Sequence, residues 1–369
     1  MKKHLIALAV AGAVSVPAMA QNVTISGLLD TGIGNDNITQ NVTTRKTSFT
    51  GLNSRNTTSV VNMQATEDLG GGMRATAFAN QQIDSATGAF TARDVWAAIS
   101  GGFGELKIGR YTPAFETTVG GYSQGGGTSL TAGTADFMFG SVAQIAVGAV
   151  AGDLTITAGP QSVFTEIGRS NSGAGQVQFT TPSFNGLTAS VGYMKASNDP
   201  STGASSTARS QSEMSVNFVS GPVSIGGGIL RGNSSTEAAA AAERDIDMLG
   251  IGASVNLDGI ILRVGHVQRS EDLAVGGTPV VDADITSVGV TIPLSGAVIA
   301  YATAFSGSDG ANGTNQLQRD MTGYQLGAQY NLSKRTNLYA IYGQNEFQGQ
   351  TVATTSKITG TSVGLRHSF

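Results

Sequence analysis

The sequence contains no cysteine, which excludes a disulfide framework and a thiolate metal site. Histidine is almost as scarce, with three residues, and no H-E-x-x-H pair or EF-hand carboxylate spacing occurs. The Gly125-Gly126-Gly127 run is not followed by the Lys-Ser/Thr of a phosphate-binding loop. No metal or cofactor is therefore expected. Beyond residue 20 no apolar run reaches 18 residues, which excludes a membrane-spanning helix. Charge is sparse, at 12 % of residues. Setting aside Lys2 and Lys3 leaves 19 basic residues against 25 acidic, a net −6. That balance lacks the basic footprint of a nucleic-acid-binding protein.

What is present is glycine, 51 residues of it, with 40 % apolar residues and near-neutral mean hydropathy. Residues 1–20 read as a secretory signal peptide, with basic Lys2-Lys3, an apolar core from Leu5 to Val16 and a small-x-small cleavage site at Ala18-Met19-Ala20. The mature chain then starts at Gln21. An exported chain without disulfides or spanning helices can still cross a membrane as a barrel. Its strands alternate between lipid and a wet lumen, and their hydropathy averages out.

Strands can be counted at 22–34, 58–68, 72–83, 91–101, 104–111, 174–182, 186–196, 209–219, 223–232, 246–256, 260–270, 282–292, 297–306, 320–332, 335–346 and 359–369. Sixteen is an even number, as an antiparallel bacterial barrel needs, and each is about the ~9–11 residues of a tilted spanning strand. Their connections alternate in length. Turns such as Leu69-Gly70-Gly71, Pro182-Ser183-Phe184-Asn185-Gly186 and Asn256-Leu257-Asp258-Gly259 are short. Segments 35–57, 84–90, 112–173, 197–208, 233–245, 271–281, 307–319 and 347–358 are mostly longer and polar. Short turns on one side and long loops on the other is the outer-membrane arrangement. The expected fold is an all-β, 16-stranded antiparallel transmembrane barrel.

Period-2 alternation assigns faces. Arg74 opposes Met73 and Ala75, Arg263 opposes Leu262 and Val264, and Arg366 opposes Leu365 and His367. An arginine facing lipid at mid-bilayer costs about 2–4 kcal/mol, so these belong to the lumen. Val363, Leu365, His367 and Phe369 form the outer face of the last strand, ending on an interfacial aromatic.

Segment 112–173 carries the functional expectation. Pro113 ends the strand before it, and a loop this long inside a compact domain is usually functional or disordered. Folded into the lumen, it narrows the pore. The expected constriction places Arg74, Arg93, Lys107 and Arg110 on the wall, facing Glu116 and Asp136 on the loop; charges in a narrow pore set which ions enter. Arg45, Lys46 and Arg55 are expected at the rim. Residues 141–160 alternate well enough for an extra hairpin but are assigned to the loop. Ser235-Thr236-Glu237 before five alanines reads as a capped helical turn. The loop also contains Gly121-Tyr122-Ser123-Gln124-Gly125, a G-x-S-x-G match. That motif needs a strand before it and a helix after it, and neither is expected here.

Several stretches together resemble the general porins of β-proteobacteria and Neisseria, the sixteen-stranded trimeric type. They are Val23-Thr24-Ile25-Ser26-Gly27, Glu67-Asp68-Leu69-Gly70-Gly71-Gly72-Met73, Gly101-Gly102-Phe103-Gly104, Ile108-Gly109-Arg110-Tyr111-Thr112-Pro113, Thr181-Pro182-Ser183-Phe184-Asn185-Gly186-Leu187, Tyr330 to Tyr339 and Gly364-Leu365-Arg366-His367-Ser368-Phe369. The resemblance implies a homotrimer in outer-membrane lipid and lipopolysaccharide, an infolded third loop, and passive diffusion of ions and small hydrophilic solutes. It also implies that Leu365, His367 and Phe369 form a signal for the barrel-assembly machinery. The sequence departs from the family before Glu67, where Val60 to Ala65 replace an Arg-x-Gly-Phe-Lys-Gly run. A weak anion preference is expected from the excess of arginine at the constriction. Two alternatives are a substrate-specific channel lined by Tyr111, Phe115, Tyr122, Phe137 and Phe139, and an outer-membrane barrel hydrolase using Ser123.

Overall fold

The computed structural model describes residues 22–40, 43–53, 55–85, 87–123, 143–147, 154–158, 175–196, 207–236, 244–273, 277, 279–309, 319–348 and 356–369. The first strands are β1 (Asn22–Gln40), β2 (Thr43–Asn53), β3 (Val60–Gly70), β4 (Met73–Ile83), β5 (Phe90–Gly101) and β6 (Gly104–Arg110). A helix, α1 (Ala114–Ser123), and two short strands, β7 (Ala143–Val147) and β8 (Leu154–Ala158), follow. The remaining strands are β9 (Gly175–Thr180), β10 (Leu187–Ala196), β11 (Thr207–Ser220), β12 (Val223–Thr236), β13 (Arg244–Leu257) and β14 (Ile260–Leu273). After them come β15 (Pro279–Pro293), β16 (Val298–Asp309), β17 (Arg319–Asn331), β18 (Thr336–Gln348) and β19 (Ser356–Ser368).

Each wall strand pairs antiparallel with its neighbours, and β19 returns to β1 from Leu28↔Ser368 to Gln40↔Ser356. Strands β2 and β3 occupy one wall position end to end. β1 pairs with β3 from Asn22 to Leu28 and with β2 from Gly32 to Gln40. The wall therefore has sixteen strand positions and closes on itself, the closure that satisfies backbone groups in a bilayer. β7 and β8 pair with each other in a separate two-stranded sheet and stay out of the wall, in keeping with their assignment to the third loop.

The faces follow from side-chain size and exposure. Val191, Leu249, Ile251, Leu262, Val264, Val288, Leu326, Leu338 and Val363 are all exposed, each alternating with a buried or lumenal neighbour. They form the lipid-facing band. Phe103, Phe184, Tyr330 and Phe369 are exposed near its short-turn end, where interfacial aromatics belong. The short turns are built from the residues their geometry demands. Asn185-Gly186 and Asp258-Gly259 have φ of 52° and 90°, and 51° and 96°, as two-residue hairpins with both central residues at positive φ require. On the inner face, aromatic rings lie over glycines of the next strand: Tyr301 over Gly327, Phe305 over Gly323, Tyr339 over Gly364. The rings cover backbone that glycine leaves bare and pin strand register.

Three expectations change. Segment 35–57 is not a loop, because β1 runs on to Gln40 and pairs with β2. Both faces of a strand above the bilayer are wet, so Asn35-Asp36-Asn37 shows no period-2 signal. Ser235 and Thr236 are the last residues of β12 rather than a helix cap; residues 237–243 lie outside the described residues. The third connection also contains a helix, α1, where irregular chain was expected.

Candidate pore constriction

α1 lies against the inner faces of β11 to β14. Phe115 and Val119 are fully buried, in a cluster with Leu230, Ile246, Met248 and Val267. Burying each such side chain stabilises by roughly 1.5–3 kcal/mol. The wall beneath is glycine. A Cβ at Gly250 would stand 2.6 Å from Val119, one at Gly228 3.1 Å from Phe115 and one at Gly226 2.8 Å from Thr118; at Gly252 it would strike Tyr122. Four glycines on two adjacent strands thus make a shallow seat for one helix.

Both helix ends are fastened. The Glu213 carboxylate on β11 accepts the backbone N–H of Ala114 (3.0 Å) and of Phe115 (2.9 Å). It satisfies two of the donors that a helix N-terminus leaves open and places negative charge at the positive end of the dipole. Pro113 precedes the first turn, where its missing N–H costs nothing. At the other end the Tyr122 hydroxyl hydrogen-bonds Asn217 and Ser224. Thr117 and Gly121 are exposed on the helix face turned to the lumen.

The structure brings some of the expected constriction residues together and separates others. Lys107 faces inward, with its Nζ 4.8 Å from the Trp96 ring centre and 5.5 Å from that of Tyr111, and it pairs with Glu105 at 3.2 Å. Trp96 in turn stacks on Phe78 at 5.1 Å. Arg93 also reaches the lumen, donating to Gln82 Oε1 at 2.9 Å. A bulge does this: the β4–β5 register slips between Ala79 and Gln81, and Arg93 and Asp94 stand in the slip. Thr112, just before α1, donates to Asp94 at 3.4 Å. Arg93 and Lys107 therefore both stand where the chain leaves the wall for the helix. Glu116 is half-buried in the first turn of α1.

Arg74 and Arg110 lie elsewhere. Arg74 is the second residue of β4, exposed beside the Gly70–Gly72 turn and level with Asp68 in the ladder. It stands at the short-turn end of the barrel, away from α1. Arg110 pairs with the outward Val95 and shares its face with Leu106 and Ile108, opposite to Lys107. The alternation of β6 simply continues to its last residue. Asp136 lies outside the described residues, as do Phe137 and Phe139. Of the proposed aromatic ladder, Phe115 and Tyr122 are buried against the wall and Tyr111 is buried beside Lys107, so these three do not line an open path. Ser123 ends α1, whereas a nucleophile elbow needs a strand before it and a helix after it.

Sequence reasoning placed Arg263 and Arg366 in the lumen, and they are there. Arg263 donates to Thr291 at 3.0 Å, and Arg366 to Gln329 at 3.4 Å, directly opposite Asp30 in the ladder. Arg55, expected at the rim, is 6 % exposed, and its backbone N–H donates to Asp30. Leu365, His367 and Phe369 share the outer face, His367 bonded through Nδ1 to Thr336 Oγ1 at 2.9 Å.

The description of the Gram-negative porin family fits this architecture and matches residues 7–350. The chain belongs to that family. Outer membrane porin protein 32 of Delftia acidovorans is 28 % identical over the full length of both chains. An outer membrane porin protein of Bordetella pertussis is 25 % identical, again over the whole of both. Among solved structures, the anion-selective porin from Comamonas acidovorans superposes with a TM-score of 0.71 at 23 % identity, over 95 % of this chain and 100 % of that one. A trimer form of OmpT from Vibrio cholerae superposes with a TM-score of 0.59 at 16 % identity, over 95 % and 100 %. The protein is thus a porin of the outer membrane, and its sixteen-stranded wall is the channel.

Proposed function

We propose that this porin passes ions and small hydrophilic solutes by passive diffusion, with a weak preference for anions, and catalyses no reaction. The observation that carries the proposal is α1, fastened at both ends to the inner wall by Glu213 and Tyr122. A fixed helix narrows the lumen permanently, as a passive filter requires. Arg93 and Lys107 stand at its start, with Arg263 and Arg366 on the wall, against Glu105, Asp94 and Glu116. Low-dielectric walls focus the field of these groups on a passing ion. The acidic net charge of the chain does not oppose this, because separations beyond about 8 Å are screened at physiological salt.

The working unit is a homotrimer in outer-membrane lipid and lipopolysaccharide. Residues 1–20 direct export and are removed. Leu365, His367 and Phe369, all outward, give the assembly machinery a surface to recognise.

Single-channel recording of the purified trimer in a planar bilayer tests the pore. Ohmic current steps that grow with salt concentration are expected. Silence from a correctly folded protein would mean a plugged barrel. Hydrolysis of an ester or peptide that is lost in Ser123→Ala would favour the enzyme instead.

A further inference from the structure

The join between β2 and β3 contains more chain than the wall can use. β1 pairs Leu28 with Val60 and Gly32 with Asn53. The numbering therefore leaves six positions, 54–59, of which 55–59 are described, for a stretch where β1 has three, Leu29 to Thr31. The surplus must leave the ladder, and its backbone groups need other partners. Asp30, the middle residue of the three, supplies them from the inner face. Its carboxylate accepts the N–H of Arg55 (3.1 Å), the N–H of Thr57 (3.0 Å) and the hydroxyl of Tyr339 (2.7 Å). Ser59 Oγ closes the loop by accepting the Asp30 N–H at 2.9 Å and donating to the Asp30 carbonyl at 3.0 Å. Asp30 and Ser59 are fully buried, and Asn56 is 2 % exposed.

This bulge faces α1. The helix is centred on β12 and β13, the ninth and tenth wall positions, and β2–β3 is the second, close to half of sixteen away. Closure imposes a constant stagger from strand to strand. Following the registers round the wall with that stagger brings Asp30 and Glu213 to nearly the same height.

We propose that residues 55–59 form a second fixed jaw of the pore, facing α1, and that the gap between the two sets solute size and local charge. The proposal rests on the lumen being a diffusion path. Asp30 is its positioning residue, and Thr58, half-buried with no role in the clasp, is the position to probe.

The chain has no cysteine, so Thr58→Cys introduces a single thiol. Trimers carrying it are recorded in a bilayer while an anionic methanethiosulfonate reagent is added. The jaw predicts stepwise losses, each channel falling about twofold, with the reversal potential moving toward cations. Mass-verified labelling that leaves conductance and reversal potential unchanged overturns it, and so does a thiol that cannot be labelled in the open channel. A channel silent before the reagent is added would fail the pore reading instead. Asp30→Asn provides a second test. It removes one acceptor of the clasp, so larger sugars should enter proteoliposomes. An unchanged size limit in folded Asp30→Asn trimers would contradict a jaw held by Asp30.

Discussion

Phe369 closes the barrel on Gly27. The Gly27 N–H donates to the Phe369 carbonyl at 3.0 Å and the Phe369 N–H to the Gly27 carbonyl at 3.1 Å. The Phe369 ring lies where a Gly27 side chain would be. The first strand and the last residue thus share a backbone pair and an aromatic cover. This contact has nearly the largest sequence separation in the fold, so its loop-closure cost is met late. Gly27→Val displaces the ring and crowds the closure, at about 1–3 kcal/mol. Its heat-modified gel shift should fall to a lower temperature and its refolding into micelles should slow. A midpoint equal to that of the parent protein would show that the closure does not depend on the ring.

The glycine seat makes a prediction about flux. Gly250→Val places methyl groups where Val119 now lies, and α1 must lift from the wall into the lumen. Single-channel conductance should drop, and sugars near the size limit should be excluded in liposome swelling. Ile251→Leu, on the exposed outward face of the same strand, should leave the size limit unchanged. Equal behaviour of the two variants would remove α1 from the permeation path.

Glu213 fastens the helix start through two backbone N–H groups. Glu213→Ala leaves both donors unsatisfied, a loss of about 1–3 kcal/mol. We expect flickering current, with the closed barrel itself still resistant to heat. Glu213→Gln keeps one acceptor oxygen and should flicker less. Quiet channels in both variants would mean that the clasp at Tyr122 is sufficient.

Trp96 is the single tryptophan, and it touches Lys107 from the lumen side of β5. Its fluorescence therefore reports which ions approach the neck. Iodide should quench it more strongly than caesium at equal ionic strength, and Lys107→Ala should narrow that difference. Stronger quenching by caesium would contradict a cationic neck.

The wall was legible because lipid and lumen impose opposite chemistries on alternate residues. Arg263 and Arg366 were placed by their neighbours alone, as was the outward end of β19. Elements held from afar were not legible. α1 contains Gly120 and Gly121 and three threonines or serines, a poor local helix; a carboxylate nearly a hundred residues downstream and glycines on two later strands make it stable. The bulge that turns Arg93 inward appears only in the β4–β5 register. The clasp around Asp30 needs the pairing of β1 with two strands at once. Arg110 shows the converse, since simple alternation from Leu106 and Ile108 places it outward, against the expectation that basic residues before the loop gather at the neck.

A passive pore whose neck favours anions is tested most directly by the reversal potential of the purified protein in a planar bilayer under a KCl gradient. Stepwise ohmic channels with a potential of the sign set by chloride are predicted, and Arg93→Gln should move that potential toward zero. A potential of the sign set by potassium would leave the pore standing and contradict the assignment of its charges.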